Sequence, residues 1–305
     1  MSNSKKLGKG LEDISYLFLS PAEEDSLSKE SFGRQEKKTA SILETPIKSI
    51  CLIGNNSSFL DAFLVINLSL ALARLGMRIA VVDMEPELPC LNFFLGNELQ
   101  KGTVDNSEGL VREGPLGVKL VSLNKFTFEH LAKNENSDRI IEQLSKIEED
   151  VDLILVNVMQ KNLFAAKSAL NDLGTEFLVI SAPDKNRILD SYRIIKTIFQ
   201  SNPLSKVGLV VTDVNHMYEI DAVYNKMFGA VKKFLDKELY KCGFLFKIRQ
   251  DVDFKATIAS FYDADLTACI SNIAQIVLLR LNLGGDVITK GSFFKKMVSG
   301  FSLPR

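Results

Sequence analysis

The stretch INLSLALARLGMRIAVVDMEPELPCLNFFLG, residues 66–96, decides the fold. It opens inside an amphipathic run over 62–75, which has the length and spacing of a helix. It continues into RIAVVD, residues 78–83, a short apolar run of the kind that forms a strand buried on both faces. The same alternation extends outward in both directions. Further strands are read at IKSICLIG (47–54), VKLVSL (118–123), DLILVNV (152–158), EFLVISA (176–182) and KVGLVVTDV (206–214), with a weaker one at CGFLFKI (242–248). Amphipathic stretches at 137–148, 185–199, 217–235 and 264–282 separate them. Alternating helices and near-continuous apolar strands require a parallel sheet covered on both faces. The expected class is therefore α/β, a doubly wound and mostly parallel sheet, with one domain over residues 47–284.

Composition excludes several function classes. The 305 residues carry 37 basic and 38 acidic side chains, a net charge of −1, which argues against a protein that coats nucleic acid electrostatically. The longest charge-free run, Leu266 to Leu279, is shorter than the roughly 20 residues of a spanning helix. No basic-then-apolar leader opens the chain, so export is not expected. Cys51, Cys90, Cys242 and Cys269 lie far apart with no CxxC, and two histidines cannot complete a usual zinc set. They read as reduced core cysteines of a cytoplasmic protein, and no metal site is expected.

Both ends differ from the body. Pro21 to Thr45 has ten charged residues in twenty-five and few large apolar ones. Such a stretch cannot bury enough surface to offset its ordering entropy, so residues 1–46 are read as a flexible, disordered tail. Within it Leu7, Leu11, Ile14 and Phe18 recur at helical spacing behind Lys5, Lys6 and Lys9, the pattern of a docking peptide over about residues 5–19. At the other end, residues 285–305 place Phe293, Phe294, Met297, Val298 and Phe301 on one helical face, edged by Lys295 and Lys296. That face suits a membrane headgroup boundary or a partner; packing back onto the domain is the alternative.

The segment 66–96 resembles the MinD/ParA deviant P-loop ATPases, in particular their MinD/FlhG-like branch. Further segments match in order: GPLGVKLVS (114–122), ISAPDKNRILDSYRIIKTI (180–198) and LVVTDV (209–214). The resemblance covers residues 47 to about 283 and implies a P-loop NTPase fold of the SIMIBI type, binding ATP and Mg²⁺. Its functional residues do not carry over. On the family's loop this chain has Gly54, Asn55, Asn56, Ser57, Ser58, Asp61 and Ala62. The family's signature lysine falls on Asn56, its P-loop lysine on Asp61 and its magnesium-binding threonine on Ala62. Glycines let backbone curl around phosphates, lysine neutralises them and a hydroxyl holds the metal. Two unit charges ~4 Å apart interact by roughly 4 kcal/mol at an effective dielectric near 20, so Asp61 turns attraction into repulsion of similar size. The Walker B aspartate falls on Asn157, the adenine-facing asparagine on Thr212, and a later proline on Phe246. Only the acidic pair Asp83 and Glu85 remains, and a base without a bound phosphate has no substrate.

These substitutions imply a pseudo-ATPase without a cofactor, acting as a regulatory or scaffold protein in spatial positioning. Family members position division sites, flagella, pili or other cargo through protein partners, so an active MinD/ParA-type ATPase or a positioning factor is the expected partner. LGKGLEDI (7–14) resembles the lysine-bearing peptides of ParB-type partners. The resemblance also implies weak contact with the inner leaflet through the C-terminal helix. The alternative is an active ATPase with a rebuilt nucleotide site that still takes ATP and Mg²⁺.

Overall fold

The structure, a computed structural model, describes residues 48–54, 58–84, 111–123, 137–159, 176–248, 264–282 and 293–301. Its strands are β1 (Lys48–Gly54), β2 (Ile79–Asp83), β3 (Val111–Glu113), β4 (Lys119–Ser122), β5 (Leu153–Met159), β6 (Glu176–Ser181), β7 (Lys206–Val214) and β8 (Tyr240–Phe246). Its α-helices are α1 (Ser58–Arg74), α2 (Ser137–Asp150), α3 (Lys185–Ser201), α4 (Met217–Leu235), α5 (Ala264–Asn282) and α6 (Phe293–Phe301). The strand order is β3-β4-β2-β5-β1-β6-β7-β8, and every described pair is parallel except β3 with β4. The expected doubly wound sheet is therefore present.

Strand alternation divides the interior into two layers. On β1, Cys51 and Ile53 face one cluster, while Ile50 and Leu52 face the other. The first layer joins apolar residues of α2, α3, α4 and α6; the second joins those of α1 and α5. Because the central strands are buried on both faces, their sequences read as largely apolar runs.

Two elements differ from the sequence reading. The antiparallel β3 has only three residues, Val-Arg-Glu, too short and too polar to register as a strand. Helix α1 starts earlier than the amphipathic run and is buried from Asp61 through Leu70, because it packs against both the sheet and α5. By length and composition α5 could cross a membrane, contrary to the charge-free-run criterion; here it packs on α1 and β8.

Capping fixes two helices beside the carboxyl ends of the strands. Asp184 accepts the N–H groups of Asn186 and Arg187 at 2.9 and 3.1 Å to start α3. Glu219 accepts those of Asn215 and His216 at 2.7 and 3.1 Å to start α4, and these bonds hold its carboxyl below its ordinary pKa.

Candidate functional site at the carboxyl ends of the central strands

In a doubly wound sheet ligands bind where successive connections diverge to opposite sides. Here that place is the carboxyl end of β1, which lies between β5 and β6. β1 ends at Gly54 and α1 begins at Ser58. Asn55, Asn56 and Ser57 lie outside the described residues, as does Glu85.

Asp61, in the first turn of α1, is 9% exposed. It lies directly over Gly54: a Cβ on that glycine would stand 1.7 Å from Oδ2, 2.0 Å from Cγ and 2.5 Å from Oδ1 of Asp61. The absence of a side chain at position 54 is what admits the carboxylate. The first turn of a helix also presents unsatisfied N–H groups and the positive end of its dipole, both favourable to an anion. Ala62 is fully buried and brings no hydroxyl.

Asn157 stands opposite Asp83 in the β2–β5 register and donates Nδ2–H to Asp83 Oδ1 at 3.1 Å. Both side chains are buried. Their backbones are tied as well, with Met84 N–H donating to Asn157 O at 3.1 Å and Leu123 N–H to Asp83 O at 2.8 Å. An amide suits this place because it donates to the carboxylate, whereas a second carboxylate would repel it. Thr212 is also buried, and its hydroxyl donates to the carbonyl of Ser181 at 3.2 Å. Asp213 adopts a left-handed backbone, φ 62°, with its carboxylate 3.9 Å from Arg187. Phe246 packs edge-on against Phe244. Gly54, Asp61, Ala62, Asp83 and Asn157 thus gather around the ends of β1, β2 and β5, while Thr212 lies two strands away on β7. No cluster of three or more His, Cys, Asp or Glu side chains suited to a metal occurs among the described residues.

The contact face expected of the C-terminal helix is turned inward. Phe293, Phe294 and Met297 are fully buried in the layer with α2, whereas Lys295 and Lys296 are exposed. The side chains of Val298 and Phe301 lie outside the described residues. For Phe293, Phe294 and Met297 the outward contact face is thus corrected to the packed alternative. The start of α6 is anchored by Glu148, a buried acid on α2 that the sequence reading missed. Its carboxylate accepts the N–H groups of Phe293 and Phe294 at 3.3 and 3.0 Å. Only helical spacing distinguishes Glu148 from its acidic neighbours Glu149 and Asp150, since it falls on the face of Ile141 and Leu144. Leu7, Leu11, Ile14 and Phe18 lie outside the described residues.

A second polar cluster escaped sequence reasoning, at the opposite ends of the strands. The Tyr240 hydroxyl donates to Glu176 Oε2 at 2.8 Å, Lys206 lies 3.5 Å from Glu176 Oε1, and the Arg280 guanidinium stacks 4.1 Å from the Tyr240 ring. It ties α5 to β6, β7 and β8, away from the site.

The fold is that of the MinD/ParA-type P-loop NTPases. Among solved structures it is similar to MinD from Aquifex aeolicus, with a TM-score of 0.53 and 17% identity over 79% of this chain and 99% of that one. It is also similar to MinD with Mg-ADP from Pyrococcus horikoshii OT3, with a TM-score of 0.55 and 13% identity over 78% and 98%. McdA of Cyanthece gives a TM-score of 0.55 and 10% identity over 76% and 99%. Among characterised proteins the chain is 23% identical over 206 residues to the antiactivator FleN of Pseudomonas aeruginosa, covering 65% of this chain and 73% of FleN. No family model matches the sequence.

Proposed function

We propose that this chain is a MinD/FlhG-like pseudo-ATPase, a cytoplasmic regulatory or scaffold protein that serves spatial positioning through a protein partner. The observation that carries this reading is the Asp61 carboxylate over Gly54, where the fold presents its phosphate-binding turn. The residues around it do not fit Mg²⁺ and a triphosphate. The anion's place holds an anion already, Ala62 has no oxygen for the metal, and Asn157 is committed to Asp83. Support for a positioning role comes from likeness: the sequence relative is an antiactivator, and a structural neighbour is a complex of MinD with MinC. By the same reasoning the partner is an active MinD/ParA-type ATPase or another positioning factor.

Isothermal titration of the full chain with ATP and Mg²⁺ tests the silent site. No heat of binding is expected. Micromolar binding that Glu85→Ala abolishes would instead establish the rebuilt ATPase site. Co-purification with the MinD/ParA-type ATPase of the same cell tests the partner, and failure to bind with both terminal segments present counts against it.

A further inference from the structure

We propose that Asp61 is a built-in anion: its carboxylate occupies the cradle over Gly54 at the start of α1 and thereby keeps external phosphate out. This rests on the pseudo-ATPase reading and names the residue that enforces it. Three observations meet at this point. The carboxyl group fills the volume that a side chain at position 54 would take, with all three of its atoms within 2.5 Å of that Cβ position. The residue is nine-tenths buried, and an ionised carboxylate at that depth requires compensation from neighbouring dipoles or donors. It stands in the first turn of a seventeen-residue helix, where the positive end of the helix dipole favours an anion.

A phosphate at the same place would meet a fixed negative charge in a poorly solvated position, where repulsion is weakly screened. Gly54 and Asp61 therefore form a matched pair. The glycine makes the space and the carboxylate fills it. The chain keeps the anion-favouring start of α1 without needing a ligand to satisfy it.

The test uses thermal unfolding of the full chain, with inorganic phosphate as the probe and chloride of equal ionic strength as the control. Asp61→Asn removes the charge and nearly keeps the shape. It is expected to lower Tm by about 5 °C in chloride and to regain at least half of that loss in millimolar phosphate. The wild type should melt at the same temperature in both salts. If Asp61→Asn is unfolded in chloride, recovery of folded signal in phosphate becomes the readout. An undiminished Tm, or a loss that phosphate does not repair, overturns the inference, and so does a wild type stabilised by phosphate.

A second comparison tests the placement without any ligand. Gly54→Ala drives a methyl into the carboxylate and should lower Tm sharply. The same change in an Asp61→Ala background should cost little. Equal losses in the two backgrounds overturn the pairing. ATP binding by the wild type would defeat the pseudo-ATPase reading itself. An Asp61→Asn protein that ignores phosphate, beside a wild type that binds no ATP, would defeat this inference alone.

Discussion

The buried carboxylate of Glu148 accepts the backbone N–H of Phe294 at 3.0 Å, across 146 residues of sequence. With the matching bond to Phe293 it caps the start of α6 from a neighbouring helix. A full negative charge is thereby placed where the α6 dipole favours it. Glu148→Ala leaves two buried donors without this acceptor and should cost about 2–4 kcal/mol. Glu148→Gln, which retains one acceptor oxygen, should cost less. Urea unfolding of the three proteins checks the order.

The inward packing of α6 separates its two sides experimentally. Phe293→Ala or Phe294→Ala removes a fully buried ring and should each cost about 3–5 kcal/mol. Lys295→Glu with Lys296→Glu should change stability by no more than about 0.5 kcal/mol per residue, since both side chains are exposed. Thermal or denaturant melts distinguish the outcomes. A phenylalanine face held outward would give the reverse result, with small stability losses at Phe293 and Phe294.

Asn157→Asp tests the amide opposite Asp83. Two carboxylates in that register share a site, which raises the pKa of one of them. A native pKa raised above the unfolded value means that stability is intact below the unfolded value and lost as pH rises through the native one. The variant should therefore match the wild type near pH 4 and be weaker by about 3 kcal/mol at pH 7, the equivalent of a two-unit rise. Unfolding curves across that range measure the difference.

Three buried acids and the partly buried Tyr240 set the alkaline limit. Burial pushes the thiols of Cys51 and Cys242 and the phenols of Tyr224 and Tyr240 well above their ordinary values. Each holds its proton in the native state and releases it earlier when unfolded. Their contribution is complete below the unfolded values, about 8.5 for thiols and about 10 for phenols, and falls as pH rises past them. Stability should decline above about pH 9, with a slope approaching about 1.4 kcal/mol per pH unit for each group. Urea melts between neutral and alkaline pH check the slope. Iodoacetamide labelling located by mass spectrometry should find Cys51 and Cys242 unmodified until the chain unfolds globally.

Tyr224 shows why the core could be read in outline and not in its joints. Its place in an amphipathic helix was legible. Its hydroxyl bonds to the carbonyls of Leu209 and Gly243, at 3.1 and 2.7 Å, were not. They join α4 to two strands that meet only after folding. The same holds at the site. Sequence placed Asp61 and Ala62 on a loop leading into a helix over 62–75, but it could not show that Asp61 already lies in that helix with its carboxylate over Gly54, or that Asn157 donates to Asp83.

What the sequence by itself determined is the doubly wound architecture, because burial on both faces writes strands and helices into local apolar patterns. It also determined the acid at position 61 and the amide at position 157, since side-chain chemistry is fixed by residue type. Tertiary structure decided what those groups touch. It sent Phe293 and Phe294 inward rather than outward, because an amphipathic helix records only that one face is apolar. The buried acid that caps the start of α6, Glu148, lies on another helix and comes beside it only when the chain folds.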